Sequence, residues 1–205
     1  MKINPDILTT SDIYKLLTGV VVPRPIAWVT TMSPTGIVNL APFSAFTFVS
    51  SAPPMVGINI GLRGGDLKDT ARNIEAMGEY VVNIGDETMM EAVHRSAIDY
   101  HPSISEPEIL GLKTVPSDVI RTPRLRDVPI SLECRLSRTV EFGEPGTRFI
   151  AGQILMFHIR DGLCSDNKID ARMLRPICRL GGPNYARLGE IVSMQHVGDV
   201  VTGPR

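Results

Sequence analysis

The sequence is poor in several things that would announce a function. Its three cysteines, Cys134, Cys164 and Cys178, are odd in number and form no CxxC pair. That argues against a disulfide framework and against a structural zinc site. A net charge of -1 gives no general attraction to nucleic acid or to an anionic membrane. The longest apolar runs, such as "FIAGQILMFHI", are too short and too polar to span a bilayer. The N-terminal "MKINPDILTT" carries no h-region, so no secretory signal is expected and a cytoplasmic, reducing compartment is the simplest reading. No repeat, low-complexity segment or Gly/Ser linker divides the 205 residues. One domain over residues 1–205 is therefore expected, with 1–10 and 197–205 peripheral or frayed.

Catalytic signatures are missing too. There is no GxSxG elbow, P-loop, HExxH or GxGxxG, which weakens hydrolase and metal-enzyme readings. His94, His101, His158 and His196 are scattered. His158 falls in a strand-like segment and reads as a satisfied core histidine, and His94 as a surface or boundary residue. Cys134 alternates with apolar neighbours and reads as a buried, inert thiol. No side chain is singled out as catalytic and none as a metal ligand.

What is present is mostly strand. "ILTTSDIYKLLTG" reads as a short helix capped by Thr10 or Ser11 and stopped by Gly19. "PIAWVTTM" is rich in β-branched and aromatic residues, "SPTG" (Ser33 to Gly36) is turn chemistry, and "IVNL" restarts a strand that Pro42 interrupts. "MVGINIGL" and "EYVVNIG" are further strands. "GGDLKDTARNIEAMG" is the clearest helix, with Asp66 as cap, Asp69 in a capping-box position and Gly78 as stop. "ETMMEAVHRSA" is a second helix. Asp99 to Pro123 reads as an excursion over the surface. "PISLECRL" alternates, with Ile130, Leu132, Cys134 and Leu136 facing in and Ser131, Glu133 and Arg135 facing out. "RTVEF" and "FIAGQILMFHI", around the turn "GEPGTR", read as a hairpin. Six or more strands with sparse helices predict a mainly β fold with flanking helices: a closed or nearly closed antiparallel barrel.

Two clusters suit a planar, phosphorylated ligand. "NLAPFSAF" offers the Asn39 amide, the Ser44 hydroxyl and backbone N–H groups. Pro42 cannot donate, so it is expected to end ladder pairing there. Trp28, Phe43 and Phe46 offer a flat apolar wall; a bulge with core aromatics accounts for the same pattern. "LRGGDLKDT" sets Arg63 and Lys68 beside two glycines at a helix start, a setting that favours phosphate. Solvated surface cations account for that pattern equally.

Seven segments in order carry a resemblance: "RPIAWVTT" from Arg24, "G..NLAPFSAF" from Gly36, "PPM" from Pro53, "KDTARNI" from Lys68, "GEYVVNI" from Gly78, "SLECRL" from Ser131 and "RLGGPNY" from Arg179. Together they resemble the flavin reductase-like, FMN-binding split-barrel family, over about Tyr14 to Ile191. The resemblance implies a six-stranded antiparallel split barrel of Greek-key type, a homodimer, and FMN bound near the dimer interface. It also implies hydride transfer from NADH or NADPH to the flavin, with reduced flavin passed to a partner oxygenase or another acceptor. Carried over residue by residue, the flavin contacts are Trp28, Thr30, Thr31, Asn39, Ala41, Pro42 and Ser44. Lys68 and Thr70, with Arg63, are the phosphate candidates, and Tyr185 stands at the pocket edge. The chain departs from the family at Thr147, where many of its reductases carry a histidine near the nicotinamide. An FMN-carrying electron-transfer protein, reduced by a protein partner, is the alternative.

Overall fold

In the computed structural model of the protein, residues 1–143 and 146–194 are described; the tail 197–205 and the centre of the "GEPGTR" turn lie outside them. Helix α1 spans Thr10–Val20, and is followed by β1 (Arg24–Pro25), β2 (Ala27–Met32), β3 (Val38–Phe43), β4 (Phe46–Ser51) and β5 (Pro54–Ile60). Next come α2 (Asp69–Met77), β6 (Glu79–Ile84), α3 (Met90–Arg95), α4 (Glu106–Ile109), β7 (Thr114–Val115) and β8 (Arg124–Leu125). The long hairpin β9 (Ile130–Phe142) and β10 (Thr147–Ile159) precedes the short β11 (Cys164–Ser165), β12 (Lys168–Ile169), α5 (Ala171–Leu174), β13 (Ile177–Arg179) and β14 (Tyr185–Arg187).

Seven strands, rather than six, share the main sheet in the order β3-β2-β6-β9-β10-β5-β4, and every pairing is antiparallel. The two outermost strands, β3 and β4, are consecutive in the chain. Ser44 and Ala45 join them, so the curling sheet is closed by a covalent corner instead of a ladder. Asn59 N donates to Ala45 O at that corner, at 2.8 Å. This is a split barrel. Its interior is one apolar core drawn from alternate positions of the strands, including Val29, Ile58, Ile60, Val82, Leu132 and Ile150. Each such side chain, fully buried, contributes about 1.5–3 kcal/mol. Tyr80 joins them and lies against Gly152, where a Cβ would stand 2.2 Å from the Tyr80 hydroxyl. Only glycine fits there.

A second core of Ile26, Trp28, Leu40, Val93, Leu125 and Ile177 covers the outer face of β2 and β3. Hence β2 is buried on both faces, and "AWVTT" reads as a continuous run.

The helices start and stop differently from the sequence expectation. Thr9, not Thr10 or Ser11, caps α1 by accepting from Asp12 N, and the helix runs past Gly19 to Val20. Lys68, not Asp66, is the N-cap residue of α2. Asp66 is instead tied to Arg63 through paired backbone hydrogen bonds of 2.8 and 2.9 Å. That tight turn needs left-handed backbone at Gly64 and Gly65, which only glycine supplies cheaply. "ETMMEAVHRSA" divides into a 3-10 turn at Glu87–Met89 and α3.

The segment 99–123 is a second layer rather than a loose excursion. Three carboxylates fasten it. Glu79 accepts from Arg121 N, Thr122 N and Thr122 Oγ1. Glu133 accepts from Asp118 N at 2.7 Å and Val119 N at 2.8 Å. Glu106 accepts from Leu40 N at 2.9 Å. The layer covers the outward face of β9, so Ser131 and Glu133 are buried, not solvated. His158 completes the Glu133 carboxylate, with Nε2 2.6 Å from Oε1.

Candidate functional site

The free edge of β3 is the place to look. Its Leu40 N–H points away from β2, toward Glu106. Backbone groups alternate along an antiparallel strand, so the position of Pro42 faces the same open side and its missing N–H deprives the β2 ladder of nothing. Pairing accordingly runs through Pro42, opposite Trp28, to Phe43, opposite Ala27. The expectation that Pro42 ends the ladder is corrected: it is a proline of an edge strand. Ala41 and Phe43 turn their amides toward β2 by the same alternation, so that part of the edge offers carbonyl oxygens rather than the N–H donors expected there.

A cavity of about 80 Å³ opens beside this edge. Asn39, Ala41, Pro42 and Phe43 line one side, Arg63, Lys68 and Thr70 another, and Ser96, Tyr100 and Glu106 the third. The structure thus gathers six of the expected residues: Asn39, Ala41, Pro42, Arg63, Lys68 and Thr70. They lie 31 positions apart in sequence at the extremes. The β5–α2 turn brings its cations back against β3.

A buried polar network holds the wall. Asn39 Nδ2 donates to Thr31 Oγ1 at 3.3 Å and to Thr70 Oγ1 at 3.0 Å. Asn73 Nδ2 donates to the same Thr31 oxygen at 3.1 Å. One donor set therefore ties β2, β3 and α2 together and fixes the Asn39 side chain.

Lys68 stands at the start of α2, with its ammonium 5.7 Å from the centre of the Phe43 ring. Burial, reinforced by Arg63, lowers its pKa, while Asp99 works the other way. Among the described residues no carboxylate lies within ion-pair distance of Lys68, whereas Arg63 is paired with Asp99. The amides of Asp69, Thr70 and Ala71 open α2 and have no partner within the helix. A half-buried cation and a helix N-terminus thus meet at one point of the cleft, which is the donor set an anion needs.

The remaining expected residues lie behind or beside the cleft. Trp28 is fully buried and donates its indole N–H to Ser96 Oγ at 2.8 Å, so it offers no open wall. Thr30 is buried and accepts from Asn83 Nδ2 at 3.2 Å. Ser44 sits at the corner, where Arg24 Nε donates to its hydroxyl at 3.2 Å. Tyr185 does not line the cleft. Its hydroxyl meets His94 Nδ1 at 3.2 Å and the Arg179 guanidinium, which also lies 4.5 Å from its ring centre. Thr147 opens β10. Cys134 is buried in the core and burial pushes its thiol pKa far up, as expected of an inert residue.

Sequence reasoning missed Glu106 and Tyr100. Both come from the segment read as a surface excursion. Glu106 is buried, and burial pushes its pKa up, with the Leu40 N–H opposing. A Glu before a proline in a polar stretch gave no signal of burial.

Known proteins of the same fold bear on this cleft. The model of the flavin reductase like domain matches residues 19–169. An uncharacterized protein of Halalkalibacterium halodurans is 43% identical over 199 residues, covering 95% of each chain. The structure of nitrilotriacetate monooxygenase component B from Bacillus cereus superposes with a TM-score of 0.92 at 38% identity, over 95% of this chain and 98% of that one. The 2-nitrobenzoate 2-nitroreductase of Pseudomonas fluorescens gives 0.89 at 33% identity over the whole of both chains. By the extent of the family match and the identity of these relatives, the chain belongs to the flavin reductase like family.

Proposed function

We propose that the protein is a flavin-dependent oxidoreductase that binds FMN, takes hydride from NADH or NADPH, and passes reduced flavin to an acceptor such as a partner oxygenase. The observation that carries this reading is the meeting of Lys68 with the α2 N-terminus at the free edge of β3. Lys68 and the first amides of α2 would hold the phosphate, with Arg63 adding charge from its pair with Asp99. Asn39 and Thr70 would line the path from phosphate to ring, and the carbonyls on the outward side of β3 would accept from ring or ribityl donors. Trp28, Thr30 and Thr31 would act from behind, by keeping β2 and β3 in place. Bound flavin would supply the two-electron chemistry itself, so this activity requires no acid–base pair of the protein.

The nitrilotriacetate monooxygenase component and the nitroreductase, at 38% and 33% identity, both support a redox role. The cavity of about 80 Å³ is well below the roughly 300–1,000 Å³ of small-molecule sites. In this reading one chain would form the phosphate end. A second copy completes the site in this proposal, and the exposed apolar residues of α1, which has no buried residue, support such a homodimer.

The test is optical. Purified protein should carry or take up FMN with the absorbance of an oxidised flavin. Under anaerobic conditions NADH or NADPH should bleach it. Failure of both nucleotides, with bleaching by dithionite, would move the assignment to an electron-transfer protein reduced by a partner, the alternative that Thr147 keeps open.

A further inference from the structure

Glu106 is the unexplained charge in the cleft. It comes from the outer layer, is 7% exposed, and lines the same cavity as Lys68 and Arg63. Its carboxyl accepts from Leu40 N at 2.9 Å, a bond that any neutral acceptor of the same shape could make. An acid is not needed to satisfy the β3 edge. A carboxylate beside an anion site weakens that site. Arg63 is already offset by Asp99, and Asp69 is offset by Arg72. Lys68 is thus left as the one cation of the lining without a carboxylate at ion-pair distance, and Glu106 lines the same cavity of about 80 Å³, where Asp69 and Arg63 are the charges that act on it.

We infer that Glu106 is a specificity-determining residue that limits the negative charge the cleft holds, so that FMN is bound weakly enough to exchange. This rests on the flavin reading above and deepens it. The cleft then holds the phosphate through Lys68 and α2 while Glu106 opposes the second negative charge. Exchange of flavin is what delivery of reduced cofactor to another protein requires. A redox protein that keeps its flavin through turnover would have no use for such an opposing charge. The place of Glu106 on the outer layer also gives segment 99–123 a role: it brings a tuning charge to a site that barrel residues otherwise build.

The test compares FMN with riboflavin, which shares the ring and lacks the phosphate. Glu106→Gln keeps an acceptor for Leu40 N and removes the charge. It should raise FMN affinity and slow FMN release by on the order of tenfold, the scale of one like charge at a partly buried site. Riboflavin affinity should stay within about twofold of wild type, since its binding has no phosphate charge to oppose. Lys68→Met should act oppositely, abolishing the preference for FMN over riboflavin. Equal FMN and riboflavin responses to Glu106→Gln, or no response of FMN, would overturn the inference and leave the flavin reading standing. Wild-type protein that binds neither flavin would overturn both. Should Glu106→Gln fold poorly, Glu106→Asp, which keeps the charge, must retain the wild-type ratio of FMN to riboflavin affinity; a raised ratio would count against the inference.

Discussion

Glu133→Gln tests how the outer layer is held. The wild-type carboxylate is fully buried, yet each oxygen is used. Oε1 accepts from Asp118 N at 2.7 Å and meets His158 Nε2 at 2.6 Å, and Oε2 accepts from Val119 N at 2.8 Å. Glutamine has the same shape but one acceptor oxygen. Whichever way the amide sits, its NH2 faces at least one of these N–H groups. A buried donor left unsatisfied costs about 1–3 kcal/mol, and loss of charge-assisted bonding adds to it. For a chain of this size each kcal/mol lowers Tm by about 2–4 °C. A fall of roughly 5 °C or more is expected in thermal unfolding followed by circular dichroism. Where the layer detaches locally, the amides of Asp118 and Val119 should exchange at least about tenfold faster, since 1.4 kcal/mol is a factor of ten. A variant with unchanged Tm and unchanged protection of both amides would refute the role of Glu133 as the staple.

Acidification should act on the same staple. Burial alone would raise the Glu133 pKa, but the N–H groups of Asp118 and Val119 and the His158 ring outweigh it and hold the pKa below its usual value. A depressed carboxyl pKa stabilises the fold above the unfolded value of about 4.3 and loses that contribution as pH falls through the folded value. Exchange at Asp118 and Val119, corrected for intrinsic rates, should therefore accelerate below about pH 4, and in Glu133→Gln that pH dependence should vanish. Lys68→Ala should weaken FMN binding by roughly 1.5–3 kcal/mol if the ammonium meets phosphate; unchanged affinity by fluorescence titration would make Lys68 a solvated helix-start residue. Gly152→Ala places a Cβ 2.2 Å from the Tyr80 hydroxyl, inside a core where overpacking costs about 1–3 kcal/mol. Chemical denaturation should show that loss, and a wild-type midpoint would mean that Tyr80 can move aside.

The parts of this fold that repeat locally were legible in the sequence. Period-two patterning in "PISLECRL" gave the inward set Ile130, Leu132 and Cys134 correctly, because those positions face the core enclosed by the main sheet. The same pattern misplaced Ser131 and Glu133. Alternation reports which face of a strand is apolar, and says nothing of a second layer arriving from residues 99–123 to cover the polar face. Trp28 fails for the same reason. An aromatic close to the proline-bearing strand suggests a ligand wall, but Val93, Leu125 and Ile177, all distant in sequence, bury it. Asp66 had the right residue type for a cap, yet the Arg63–Asp66 turn closes on its own backbone and moves the helix start to Lys68. Within the cleft, the cations and Asn39 could be singled out from their own short segments, although Asn39 meets Thr70 from 31 positions away, while Glu106, whose partner Leu40 is 66 positions away, gave no signal.

The size of the cleft leads to one more test. About 80 Å³ on one chain accommodates a phosphate and a few carbons, while an isoalloxazine needs a larger apolar surface. Surface of that kind is available on α1, where Tyr14, Leu17 and Val20 are 68%, 55% and 72% exposed. These three lie at spacings of three, so they form one stripe along the helix. A stripe facing water in every molecule would be a standing cost, which a second copy would remove. If the stripe pairs two copies, Leu17→Asp together with Val20→Asp should leave a monomer in sedimentation without unfolding it, since neither side chain is buried in the single chain. If the ring end of the site is built by pairing, FMN affinity should fall with the dimer, by at least about tenfold, or 1.4 kcal/mol. A folded monomer that binds FMN as tightly as the parent would show that one chain opens its own ring site, and the small cavity would then be a closed state of a cleft that widens around its ligand.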